Sequence, residues 1–148
     1  MHIYTKQPDL HIYVSAEPEL DIDLEGSFDF GNEEENKEYI QQIKSEIESG
    51  NEWAWCQIAL TIEYYSTYMA TNGIDPIGFT SYLGGCSYTN FNEFYISGCY
   101  AEGMLDEAAD GVRELIKSKL TGSLLQSELQ LFNSQYEKYI LILLDNSV

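Results

Sequence analysis

Five carboxylates occupy alternate positions between residues 17 and 25, namely Glu17, Glu19, Asp21, Asp23 and Glu25, with Pro18, Leu20, Ile22 and Leu24 between them. Successive side chains of a strand point to opposite faces, so this alternation reads as a strand with an acidic outer face and an apolar inner one. Residues i and i+2 of a strand are about 6.6–6.8 Å apart. Consecutive phosphates along one strand of DNA are separated by a similar distance, on the order of 6–7 Å. An acidic row of this pitch can therefore stand in for a phosphate backbone. Asp29, then Glu33, Glu34, Glu35 and Glu38 on a following helix, extend the track, and Glu46 and Glu48 lie further along. The row, Asp29 and those four glutamates form the candidate partner-binding surface. Glu128 and Glu137, on the last helix, are expected to be solvated acids outside it.

Other chemistry is sparse. Asp21-x-Asp23-x-Glu25-Gly26 follows the opening of a twelve-residue calcium loop, but Asn32 stands where the bidentate Glu belongs. Pro18 and the upstream alternation also argue for a strand where an entering helix would be needed. No metal is expected. The histidines, His2 and His11, fall on a sequence that reads as a hairpin, where a general base would lack a buried, oriented setting. Cys56, Cys86 and Cys99 fit no zinc or redox spacing and read as reduced thiols of a cytosolic protein. Gly-x-Gly-x-x-Gly, the P-loop and Gly-x-Ser-x-Gly are all missing. The expectation is a protein without enzymatic activity or cofactor.

The charge is lopsided. The 148 residues carry 25 acids and 7 bases, a formal net of −18. Between Glu17 and Glu52 there are 13 acids and two bases, Lys37 and Lys44, a net of −11; the remainder has 12 acids and five bases, a net of −7. Such a chain has little with which to neutralise phosphates, so direct nucleic-acid binding and anionic membranes are both disfavoured. The 14% aromatic content argues against disorder. The N-terminus lacks a signal-peptide pattern, and the longest aliphatic run, Ile140–Leu144, is far too short to span a bilayer. The expected location is the cytoplasm of the infected or host cell.

The elements that must position these residues follow from pattern and punctuation. His2–Thr5 and Leu10–Val14 flank Gln7-Pro8-Asp9, which predicts a hairpin. Asn32 caps a helix that shows Tyr39, Ile40, Ile43 and Ile47 as its apolar stripe and ends near Gly50. Glu52–Tyr65 is the strongest strand, with Ala54, Cys56, Ile58, Leu60, Ile62 and Tyr64 on one face and Trp53 and Trp55 on the other. Gly78–Tyr88 is a second strand, in which Gly84-Gly85 marks a bulge or a close backbone approach. A helical turn capped by Asn90 or Asn92 follows, then helices over about 102–120 and 124–144. The composite is an α+β fold in a single domain over 1–148, a small antiparallel sheet packed by three helices. A surplus apolar Trp53/Trp55 face and the Ile140–Leu144 end point to a homodimer.

Asn51-Glu52-Trp53-Ala54-Trp55-Cys56, Tyr82-Leu83-Gly84-Gly85-Cys86-Ser87-Tyr88 and Met104-Leu105-Asp106-Glu107-Ala108 together resemble a pattern in short phage and plasmid accessory proteins. The resemblance covers about residues 49–120 and implies a mobile-element origin; no activity or site residue comes with it. By composition the chain also resembles acidic phage inhibitors that mimic DNA, the anti-restriction and anti-CRISPR proteins.

Two functions are compatible with these features. One is a non-enzymatic inhibitor whose acidic face occupies the basic groove of a host nuclease or other nucleic-acid-binding defence protein. The other is an acidic interaction module or regulator that works through an apolar surface, with the acids serving only solvation. Charge reversal along 17–38 separates them, because it abolishes the first function and spares the second.

Overall fold

The computed structural model describes residues 2–3, 9–18, 32–88, 90, 93–95 and 100–146. Its elements, in chain order, are β1 (His2–Ile3), β2 (Leu10–Pro18), α1 (Glu33–Glu48), β3 (Cys56–Tyr64), α2 (Thr67–Thr71), β4 (Ile77–Cys86), α3 (Ala101–Lys119) and α4 (Gly122–Asn146). The strands lie in one sheet in the order β1-β2-β3-β4. The fold is α+β, a small antiparallel sheet with helices packed on it. β1 pairs antiparallel with β2, setting His2 opposite Val14 and Ile3 opposite Tyr13, which is the expected hairpin.

The chain divides into two compact units. The first takes Met1–Ser15, Ala59–Ser81 and Tyr100–Val148. Its core uses one face of each strand: Leu10, Ile12 and Val14 of β2, and Leu60, Ile62 and Tyr64 of β3, are all fully buried. The intervening positions are exposed or half-buried, as period-2 patterning requires. Helix α3 buries Met104, Leu105, Ala108, Val112 and Ile116, and α4 buries Phe132 and Tyr136. The ring of Tyr64 meets Phe132 edge-on at 5.6 Å. Gly111 of α3 leaves room for Phe79 of β4, because a Cβ there would lie 2.2 Å from the Phe79 ring. Arg113 ties α3 to α4: its Nε donates to Asn133 at 2.8 Å, and its guanidinium lies 5.5 Å and 5.4 Å from the Phe132 and Tyr136 ring centres. Each such cation–π contact is worth about 0.5–1 kcal/mol at a partly exposed site.

The second unit takes Ala16–Ile58 and Tyr82–Cys99. Helix α1 lays Ile40 and Ile43, with Tyr39 and Ile47 at the flanks, on Ala54 and Trp55. Both of its ends are closed. Asn32 accepts a 2.8 Å bond from the Glu34 amide. At the other end Gly50 adopts φ +98, the Gly50 amide donates to Ile47 and the Asn51 amide to Glu46, the paired bonds of a Schellman motif.

Several expectations need correction. The strand expected over 52–65 begins only at Cys56. The Asn51 side chain accepts from the Trp53 amide at 3.1 Å and the Asn51 carbonyl from the Ala54 amide, so 51–55 turn instead of extending. Trp53 and Trp55 are therefore not a surplus strand face; they are 9% and 5% exposed. That removes half of the reasoning behind a homodimer. Ser66 caps α2, between the two expected strands, by accepting from the Met69 amide at 3.2 Å. Glu17 and Pro18 are extended as part of β2, and residues 19–25 of the acidic row lie outside the described residues. Glu128 is 5% exposed, so it is not a solvated acid.

Candidate partner-binding surface

The acids of α1 occupy positions fixed by helical geometry. At 100° per residue, Ile40, Ile43 and Ile47 define the inner stripe, and Glu34, Glu38 and Ser45 lie opposite it. Glu33, Glu34, Glu35 and Glu38 are all exposed. Lys37 and Lys44 share one flank, seven residues apart, while Glu35, Gln42 and Glu46 share the other. Glu33 and Glu48 bracket that lysine flank, each four residues from a lysine, while the outer face and the opposite flank hold only acids among their charged residues. Both ion pairs among the described residues, Arg113–Asp110 and Lys117–Glu114, belong to α3.

The helix dipole accounts for part of this pattern. Glu33, Glu34 and Glu35 fill the first turn, where negative charge is stabilising by about 0.3–1 kcal/mol each. Glu46 and Glu48 are in the last turn, which holds no base, and there the same dipole opposes them. Glu34 and Glu38 are a like-charge i,i+4 pair, which costs a few tenths of a kcal/mol.

Beside the Glu35/Glu46 flank is a cleft of about 210 Å³ lined by Tyr39, Gln42, Ile43, Glu46, Ser87, Tyr88 and Glu93. Its second wall is held by aromatic packing. Phe94 stacks on Trp53 at 5.9 Å and meets Tyr88 edge-on at 5.4 Å, and the Tyr88 amide donates to the Trp53 carbonyl at 2.8 Å. Asn90 caps the turn at 93–95, accepting from the Glu93 amide at 3.0 Å. The volume falls below the roughly 300 Å³ typical of small-molecule sites.

Of the expected surface residues, α1 brings Glu33, Glu34, Glu35 and Glu38 together, and Glu17 is exposed at the end of β2. Glu19, Asp21, Asp23, Glu25 and Asp29 lie outside the described residues. So does most of the calcium-like loop; its last residue, Asn32, uses its side-chain oxygen to cap α1. Cys56 is fully buried and Cys86 nearly so, while Cys99 lies outside the described residues. Sequence reasoning missed Glu93, although Asn90-x-x-Glu93 is a helix-capping pattern.

A second polar cluster sits in the first unit. The Tyr64 hydroxyl donates to Glu128 at 2.5 Å. The Asp9 amide donates to Gln135 Oε1 at 3.3 Å, and Gln135 Nε2 returns a bond to Asp9 Oδ2 at 2.9 Å. The Asp9 carbonyl also accepts from the Tyr65 amide at 2.9 Å. Burial, then the bond to Glu128, holds the Tyr64 phenol well above its ordinary range. These contacts join α4 to the strands within the unit's core, and their role is positioning. No family model, curated protein or solved structure matches the chain.

Proposed function

We propose that the chain is a non-enzymatic inhibitor of mobile-element origin, of the anti-restriction or anti-CRISPR kind. It presents a nucleic-acid-mimicking acidic surface to the basic groove of a host nuclease or other nucleic-acid-binding defence protein, in the host cytoplasm. The observation that supports this reading is the exposed face of α1 on which Glu34, Glu35, Glu38 and Glu46 stand with no base among them. Glu46 opposes the dipole, Glu34 and Glu38 repel each other, and Lys37 and Lys44 lie on the other flank, beside Glu33 and Glu48. Solvation alone needs no such arrangement. A basic groove turns the repulsion into attraction, with fast and salt-sensitive association. The alternative, an interaction module using an apolar surface, loses the Trp53/Trp55 face, which is buried. Among the described residues no helix is long and apolar enough to cross a membrane.

The test begins with capture from a host lysate at low salt, followed by elution with competing DNA or RNA and identification of the eluted protein. Target cleavage or DNA binding is then measured with charge-reversed variants. Glu34→Lys with Glu38→Lys, and separately Asp21→Lys with Asp23→Lys, are expected to lose inhibition at least tenfold more than Glu107→Lys with Glu137→Lys, at unchanged melting. Equal loss from all three pairs, or full inhibition by the first two, would refute the proposal.

A further inference from the structure

We infer that the cleft beside α1 is a site for an arginine side chain of a protein partner. Both of its walls belong to the second unit. Tyr39, Gln42, Ile43 and Glu46 follow the spacing i, i+3, i+4, i+7, so one stripe of α1 makes the first wall. Tyr88 and Glu93 stand on the second. Two carboxylates, two phenol rings and an amide thus line about 210 Å³, and no base is among the lining residues. Lys37 and Lys44 are on the far flank of α1, so the helix supplies none.

The walls are fixed by contacts of their own. Tyr39 packs against the cluster of Ile40, Ile43 and Trp55. The Glu46 carbonyl accepts from the Asn51 amide and from the Ser49 hydroxyl. Opposite, Phe94 packs on both Trp53 and Tyr88, and Asn90 holds the Glu93 amide. A site built in advance spares its ligand the cost of ordering it.

The lining decides the occupant. Two carboxylates in a chain of net charge −18 repel an anion. A hard metal ion takes six or more oxygen ligands, and among the described residues no group of three or more His, Cys, Asp or Glu could hold one. The space is that of a side chain more than of a free metabolite. A guanidinium suits it best. It is planar and weakly hydrated, stacks on aromatic rings, and carries five donors that can reach carboxylates on both walls, whereas an ammonium is a strongly hydrated point charge.

The source of that arginine rests on the proposed function, since a groove that holds nucleic acid is lined with Lys and Arg. The chemistry of the cleft is separable from it. The full chain is titrated with N-acetylarginine amide at constant ionic strength, with backbone amide NMR shifts as the readout. N-acetyllysine amide and the neutral N-acetylcitrulline amide are the comparisons. The arginine derivative should give saturable shifts centred on Gln42, Tyr88 and Glu93, about tenfold tighter than citrulline and roughly threefold tighter than lysine. Glu93→Gln should weaken it roughly fivefold at unchanged melting temperature, whereas Glu107→Gln, the same change on α3, should not. Glu93 is the carboxylate to alter because Glu46 also belongs to the acidic flank of α1. Absence of saturable shifts, equal binding of either comparison, shifts confined to Glu33–Glu38, or indifference to Glu93→Gln would overturn the inference. Against the captured target, Glu93→Gln should speed dissociation several-fold, and an unchanged rate would refute the partner's arginine as the occupant. No arginine binding, with inhibition still lost in Glu34→Lys with Glu38→Lys, would remove the cleft site and leave the function. Arginine binding with inhibition intact in that variant would do the reverse.

Discussion

The hydroxyl of Tyr64 on β3 donates a 2.5 Å hydrogen bond to Glu128 on α4, and both residues are buried in the first unit. Removing the donor alone leaves a buried acceptor unsatisfied, which costs about 1–3 kcal/mol. Tyr64→Phe is therefore expected to lower stability by that amount in urea titrations. Tyr64→Phe combined with Glu128→Leu should cost less than the two single changes added together, because neither polar group is then stranded. Simple additivity would show that the bond contributes nothing.

Alkaline pH should loosen the same unit. Burial, followed by the charge of Asp106 and the bond to it, also raises the Tyr136 phenol. A phenol whose folded pKa lies above the unfolded value of about 10 stays protonated in the fold while the unfolded chain ionises. Its contribution is complete below about pH 10 and is lost as pH rises from there toward the folded value, by about 1.4 kcal/mol per pH unit for each such tyrosine. Tyr64→Phe and Tyr136→Phe should each flatten the fall in urea midpoint between about pH 10 and pH 11. An unchanged slope in both variants would contradict the assignment.

The buried glutamate also shows where the sequence was legible and where it was not. The alternation Ile58, Leu60, Ile62, Tyr64 and the stripe Ile40, Ile43, Ile47 identify core faces, because burial imposes the period of each element. The Asn32 cap and the Gly50 stop are equally visible, since few residue types satisfy those geometries. Glu128 was misjudged by residue type. It lies four residues before Phe132 and eight before Tyr136, on the inner stripe of α4, and that position predicts burial better than its charge predicts exposure. Trp53 and Trp55 were misplaced because Asn51 makes a turn that an apolar alternation count does not register. On the acidic surface, Glu17 and the acids of α1 are exposed, and residues 19–31 lie outside those described.

Gly111 and Phe79 give a second packing test. Gly111→Ala brings a methyl into the Phe79 ring and should destabilise by about 1–3 kcal/mol. Phe79→Ala in the same chain should recover most of that loss relative to Phe79→Ala alone. If Gly111→Ala costs nothing in calorimetry, the close approach of α3 to β4 is relaxed at no expense.

Charge on α1 should act mainly on the rate of encounter with the target. Exposed charges steer association, whereas pairs desolvated in a groove slow dissociation. Glu35→Gln and Glu46→Gln, on the flank away from the lysines, are expected to lower the association rate several-fold at low salt and to converge on the unsubstituted protein near 1 M salt. Surface plasmon resonance against the captured target measures both rates. Effects confined to dissociation and insensitive to salt would place these residues inside a desolvated contact.

Both indoles of the chain, Trp53 and Trp55, belong to the unit that carries α1. Tryptophan emission is therefore a local signal, reporting the environment behind the acidic helix and nothing in the other unit. Tyrosines, by contrast, are in both units, Tyr64 and Tyr136 in the first and Tyr39, Tyr82, Tyr88 and Tyr95 in the second, so their ultraviolet absorbance reports the whole chain. The molecule thus carries one signal confined to a single unit and another shared by both. Coincident unfolding curves from the two would mark a single cooperative transition, and separated curves would give each unit its own stability.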